Sequence, residues 1–261
     1  MCVTATGHHG LSVWGRVTLI IGLTLAMIAT AYVGGWFEWW LKHILDTPPY
    51  TRVLAHALKK TAMLALWLLP MLVFPKLRDV GSFRLPRTWT VCLVLPVLAL
   101  NLLFFGRVRL GHPWPLYVSF VWGGMATGVF EELVFRGYAF RTFQQTQTRL
   151  VVFTSAVCFA LMHFINLTHE PLWAVLNNVP LAFGLGLGFG IIRTVSGSIA
   201  WCMLFHGAID AAWEFATAGE TYQTLLPFAG GIVIIASVVT FCLHPKLSGR
   251  SLTRDETPKC A

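Results

Sequence analysis

Residues 17–36 read VTLIIGLTLAMIATAYVGGW, twenty positions without one charged side chain. At 1.5 Å of rise per residue, a helix of that length reaches about 30 Å, the thickness of the hydrocarbon core of a bilayer. A helix on the surface of a soluble domain keeps one polar face, and this stretch has none. It reads as a membrane-spanning helix. Moving outward, comparable apolar stretches cover residues 53–74, 88–105, 115–135, 150–167, 172–192, 198–215 and 225–243. The expected fold is therefore all-α: a polytopic membrane protein of about eight transmembrane helices. The second stretch is the weakest of the eight, because Lys59 and Lys60 lie inside it and would have to snorkel toward the interface.

The composition agrees. Of 261 residues, 56% are hydrophobic and 11% charged, whereas a soluble domain carries charge on roughly a quarter of its residues. The net charge of +8 does not indicate nucleic acid, since the cations flank apolar stretches instead of forming one basic face. They read as topology signals. With eight spans, Arg16, Lys76, Arg78, Arg84, Arg87, Arg136, Arg141, Arg149, Arg193, Lys246, Arg250, Arg254 and Lys259 fall on one side, and only Lys42, Arg52, Lys59, Lys60, Arg107 and Arg109 on the other. The positive-inside rule then puts both termini in the cytoplasm. The six cysteines (Cys2, Cys92, Cys158, Cys202, Cys242, Cys260) form no CxxC pair, so neither a disulfide framework nor a zinc knuckle is indicated. Ala29-Thr30-Ala31 has the look of a signal-peptide cleavage triplet, but the stretch around it is long enough to stay as an anchor. Gly184, Gly186, Gly188 and Gly190 follow no strand, so they read as a close helix-packing surface and not as a phosphate loop. Pro180, in the same span, is expected to kink it.

The chemistry is in the exceptions. Glu131, Glu132 and Asp210 are the acidic residues read as falling well inside apolar stretches, and His163 and His206 are similarly deep. Ionisable groups at membrane depth cost several kcal/mol unless paired or hydrated, which makes each a functional-site candidate. Glu132 and Arg136 are four apart and suited to an ion pair on one helix face, leaving Glu131, about 100° round the axis, for another task. His206 and Asp210 share the same spacing, as do Phe159 and His163, whose rings are placed to pack together. Each pair also has a plain structural reading, as an ion pair, an inter-helix clamp or a packed histidine. The case for a site rests on the combination, because independent clamps would not need a spare carboxylate beside two imidazoles.

These residues carry a resemblance. Glu131-Glu132-Leu-Val-Phe-Arg136 resembles the EExxxR motif of the CAAX protease and bacteriocin-processing family of intramembrane proteases, also called CPBP or Abi, which includes the type II CAAX prenyl endopeptidases. Phe159-Ala-Leu-Met-His163 resembles its FxxxH, and His206-Gly-Ala-Ile-Asp210 its HxxxN/D. The glycine-rich run and Arg193-Thr-Val-Ser-Gly197-Ser resemble the family's approach to the last motif. The resemblance implies three segments: residues 1–113, N-terminal transmembrane helices without a motif; residues 114–216, the catalytic core; and residues 217–261, a last span and polar tail.

The function it implies is an intramembrane endopeptidase that hydrolyses membrane-associated peptides or proteins, prenylated ones among them. Glu131 would activate water with His163 as partner, and His206 and Asp210 would stabilise the oxyanion. Glu132 completes the catalytic set, with Arg136 and Phe159 in support. Prenyl-protein members carry asparagine where this chain has Asp210, and an ionised carboxylate cannot donate a hydrogen bond. Cofactor need stays open. His163, His206 and one glutamate would suffice for zinc, yet there is no HExxH and Glu132 is expected to be committed to Arg136, so the metal-free mechanism is preferred. Substrate and bilayer are the implied partners, and nucleic acid is not. The competing readings are an ion- or proton-coupled transporter and a non-enzymatic immunity or partner protein on the same fold. No internal symmetry of the transporter kind is visible.

One geometric difficulty follows. If the fourth span ended near Arg136, Glu131 and His163 would sit at different depths; a fourth helix running on to about Phe143, or a tilted fifth, would reconcile them.

Overall fold

The computed structural model describes residues 12–45, 50–73, 113–142, 148–216 and 222–243, without the side chains of 50–52 and 213–230. Among these residues there are helices and no strand. Seven helices follow in order: α1 (Val13–Ile44), α2 (Tyr50–Val73), α3 (Trp114–Thr142), α4 (Thr148–Thr168), α5 (Leu172–Ser196), α6 (Ala200–Ala216) and α7 (Tyr222–Leu243). Five of them, α1 to α5, are long and apolar enough to cross a bilayer, α2 over Val53–Val73. The expected span at residues 88–105 lies outside the described residues.

The helix ends follow local chemistry. The Ser12 hydroxyl accepts from the Gly15 N–H at 3.1 Å, capping α1. Pro113 and Pro171 precede α3 and α5 in extended conformation. Gly197, at φ 68°, ends α5 in the left-handed region that suits glycine, and its N–H reaches the Arg193 carbonyl at 3.0 Å. The chain then turns directly into α6.

The outward faces are apolar. Leu25, Val33, Leu72, Leu176 and Ile235 are all exposed, an arrangement that water would penalise and acyl chains do not. Trp14, Trp36, Trp39, Trp40, Trp114 and Trp173, near helix ends, are exposed as well, as interfacial tryptophans are. Together these faces describe an integral membrane protein.

Two expectations need correction. α1 does not stop near Trp36 but continues to Ile44, which brings Glu38 into the helix and against Lys59 of α2. Lys59 and Lys60 do not snorkel; both turn inward to carboxylates, Lys59 to Glu38 and Lys60 toward Glu131. A charge partner inside the bundle removes the reason for reaching the interface.

Glycine sets the helix spacing. Gly184 and Gly188 face Ile234 and Ser237 of α7, while Gly186 and Gly190 face Ala156 and Val152 of α4. Alternate glycines four apart thus divide between two faces of α5, and each face admits one neighbour. The closest approach is between α3 and α6. A Cβ on Gly128 would strike the Gly207 backbone, and one on Gly124 the backbone of Ala211. This contact positions the site.

Candidate active site

Glu131 and Glu132 end the regular α-helical part of α3, and a π-helical turn, Leu133–Tyr138, follows immediately. Its wider winding shows in the Ala139 N–H, which reaches back to the Val134 carbonyl five residues earlier. Such a turn loosens the carbonyl ladder, and other helices supply the donors: the Ser155 hydroxyl gives to the Phe135 carbonyl at 2.9 Å and Arg193 Nε to the Arg136 carbonyl at 3.3 Å. The Tyr138 hydroxyl donates to the Trp67 carbonyl of α2 at 2.7 Å, fixing the turn on its other side. α-Helix resumes over Ala139–Thr142. The continued rod also relieves the depth conflict, since Glu131 lies about 16 Å from Thr142 and His163 about 22 Å from Thr148 along their axes.

The centre of the site is a fully buried ion pair. Arg136 Nη1 donates to Glu132 Oε1 at 2.8 Å, with both side chains at 0% exposure, and Nη2 donates to the Gly186 carbonyl at 2.8 Å. The guanidinium also sits over the ring of Phe159, 4.8 Å from its centroid, with Phe189 at 5.5 Å on another side. The counter-charge, two hydrogen bonds and the aromatic faces offset much of the cost of burying this charge, although Arg136 Nε and Glu132 Oε2 have no hydrogen-bond partner among the described residues.

His206 of α6 meets the same carboxylate. Its Nδ1 lies 2.9 Å from Glu132 Oε1. A carboxylate there accepts, so Nδ1 carries the hydrogen. That fixes Nε2 toward the two remaining acids, 3.8 Å from Glu131 Oε2 and 3.6 Å from Asp210 Oδ2. The imidazole stacks on Phe189, centroids 5.3 Å apart, and meets Phe159 edge-on at 5.5 Å. Rings on two sides and the hydrogen bond at Nδ1 hold it in this orientation.

His163 stands where α4 passes from α-helix to a 3-10 turn. Its Nδ1 donates to the Phe159 carbonyl at 2.8 Å, leaving Nε2 as the nitrogen with a free lone pair. Phe159 packs edge-on to it, centroids 5.0 Å apart. Glu131 and His206 are near enough to act on it electrostatically.

The structure thus brings Glu131, Glu132, Arg136, His206 and Asp210 together from α3 and α6, with Phe159 and His163 alongside from α4. Sequence reasoning missed Lys60 of α2, whose Nζ lies 4.0 Å from Glu131 Oε1. It also missed the cluster of Glu38 with Lys42, His56 and Lys59. The signal was the Lys59-Lys60 pair inside an apolar stretch, read as a weak span instead of a pair of partners. Gly124, Gly128 and Gly207 were missed too, although the Gly-Met-Ala-Thr-Gly spacing of the first two is a known close-packing signature. Among the described residues no three His, Cys, Asp or Glu side chains are set to share a metal ion.

A buried acid–histidine centre among apolar helices marks the class, a membrane-embedded protein with a cluster of ionisable side chains inside its helix bundle. The comparison with known families sharpens it: residues 112–212 match the family model of type II CAAX prenyl endopeptidase Rce1-like proteins. The match spans all three motifs, so the segment that holds the site is similar to this protease family. No curated protein and no solved structure matches the chain.

Proposed function

We propose that this protein is an intramembrane endopeptidase that hydrolyses peptide bonds of membrane-associated substrates with a water activated by Glu131. The observation that carries the proposal is the division of labour between adjacent glutamates. Glu132 is fully buried with its Oε1 held by both Arg136 and His206, whereas Glu131, beside the same histidine, makes no hydrogen bond among the described residues that would bar it from holding water.

In this reading Glu131 takes a proton from water as the hydroxide oxygen adds to the peptide carbonyl carbon. His163 Nε2 accepts the water's second hydrogen bond and orients it. The oxyanion receives a hydrogen bond from His206 Nε2–H; since Nδ1 already gives its proton to Glu132, the ring must carry both protons in that step. Glu132 and Asp210 supply the counter-charge around it while Glu131 holds the proton taken from water. Collapse of the intermediate breaks the C–N bond, and the proton held by Glu131 passes to the departing amine. Asp210 orients His206, a role an ionised carboxylate can fill where an asparagine would donate. Glu132, Arg136 and Phe159 act through His206 as positioning residues. Exclusion of bulk water by the surrounding apolar helices strengthens each of these interactions.

Peptides bearing a prenyl group suit the family match. The full molecule in this proposal has eight spans, both termini in the cytoplasm, and residues 114–216 as its catalytic core. The test is cleavage of membrane-anchored reporter peptides by the purified protein, comparing wild type with Glu131→Ala and His163→Ala, each with and without chelator. Cleavage that resists chelator and is lost in both variants supports the mechanism. Cleavage lost on chelation would replace the glutamate mechanism with a metal-dependent one. Cleavage that persists in both variants removes these residues from the chemistry.

A further inference from the structure

We propose that Lys60 of α2 is a positioning residue of the active site, the cation that holds Glu131 beside His206; this rests on the peptidase reading above. Lys60 lies outside the segment that matches the protease family, so the motifs give no hint of it.

The argument begins with a count of charges. Three carboxyl groups, Glu131, Glu132 and Asp210, surround His206. The one arginine among them is spent, with Nη1 on Glu132 and Nη2 on the Gly186 carbonyl. His206 Nε2 stands 3.8 Å from Glu131 Oε2 but is shared among three carboxyl groups, and the cation on the other oxygen, Oε1, is Lys60 Nζ at 4.0 Å. The two side chains are largely buried, at 17% and 9% exposure. Burial makes such a pair count for more than one on a wet surface, because less water screens it.

The placement of the two lysines supports the assignment. Consecutive residues on a helix point about 100° apart, and α2 packs between α1 and α3. Lys59 pairs with Glu38 of α1, together with Lys42 at 2.6 Å and His56 at 3.6 Å. Lys60 turns to Glu131 of α3. Each lysine meets a carboxylate on a different neighbour, so Lys60 is not needed to neutralise Glu38. The helix is itself pinned, by the Tyr138–Trp67 hydrogen bond and by Met63 and Trp67 in the apolar core. Lys60 is thus presented from a fixed support.

A cation in this position keeps Glu131 turned toward the reacting water and away from the two other carboxylates, and acts on turnover more than on substrate binding. The experiment uses the full-length protein in detergent and the reporter that wild type cleaves. Lys60→Met is expected to lower kcat about 10- to 100-fold, the cost of a slightly misplaced catalytic group, with KM unchanged within twofold. Lys60→Arg is expected to restore most of the rate. If Lys60→Met fails to fold, Lys60→Gln carries the same comparison. A second readout needs no turnover: thermal unfolding of Lys60→Met, Glu131→Gln and the double variant, where the two substitutions are expected to be non-additive. Unchanged kcat, a rise in KM alone, or additive stability effects would overturn the assignment. If wild type cleaves no reporter, the peptidase reading fails, and the stability cycle alone decides whether Lys60 holds Glu131.

Discussion

At the scale of single residues, the account turns on which buried group is already occupied. Arg136 gives two hydrogen bonds in different directions, to Glu132 and to the Gly186 carbonyl, and stacks on Phe159. Replacing it with methionine leaves Glu132 buried and unbalanced, which is expected to cost about 3–5 kcal/mol, measured as a fall in the thermal unfolding midpoint. Arg136→Lys should recover little of that, because an ammonium cannot copy the planar fork. A stability equal to wild type in both variants would contradict the pairing described here. The sequence made Glu131, Glu132, His163, His206 and Asp210 legible for one physical reason: a charge or imidazole in an apolar stretch is conspicuous. The Lys60–Glu131 pair was not legible, since it joins separate helices and depends on how they pack. Glu38 was missed because it lies just beyond Trp36, where the first apolar stretch ends, while its partner Lys59 lies on another helix.

Among the elements, the α3–α6 crossing sets the site. Gly128 and Gly207 meet with no room for a Cβ, and that contact places His206 opposite Glu132. Gly128→Val is expected to push the helices apart, lowering both the unfolding midpoint and cleavage by tenfold or more, an effect comparable to other misplacements of catalytic groups. Gly22→Ala makes the control, because a Cβ there meets nothing within 4 Å. Equal tolerance of both substitutions would sink the argument from close packing. The glycine run of α5 could be read in advance as a packing surface, since alternating glycines in an apolar helix have few other uses. The π turn over Leu133–Tyr138 could not, because Leu-Val-Phe-Arg-Gly-Tyr contains nothing that distinguishes it from α-helix. Its stability comes from Ser155, Arg193 and Tyr138, donors whose aim only the fold reveals.

Over the whole molecule, apolar length and the outward-facing hydrophobic side chains make the case for the bilayer, and the family match supports a protease. The eight-span arrangement goes further and has a consequence that can be checked. In it the C-terminal end of α1 and the N-terminal ends of α3 and α5 all face away from the cytoplasm, which would gather Trp36, Trp39, Trp40, Trp114 and Trp173, all exposed, into one interfacial belt. Reporters fused to the two termini are expected to be accessible from the same, cytoplasmic, side of sealed vesicles. Termini on opposite sides would require an odd number of spans and would contradict the arrangement.

The central claim is that Glu131 activates the water that cuts the substrate. Its most direct test is kcat for a membrane-anchored reporter in reconstituted vesicles, wild type against Glu131→Gln, with folding of the variant verified by its unfolding midpoint. The account predicts that a folded Glu131→Gln protein cleaves about 100-fold slower or worse, the range in which positioned general bases contribute. A folded variant that cleaves at the wild-type rate would contradict it.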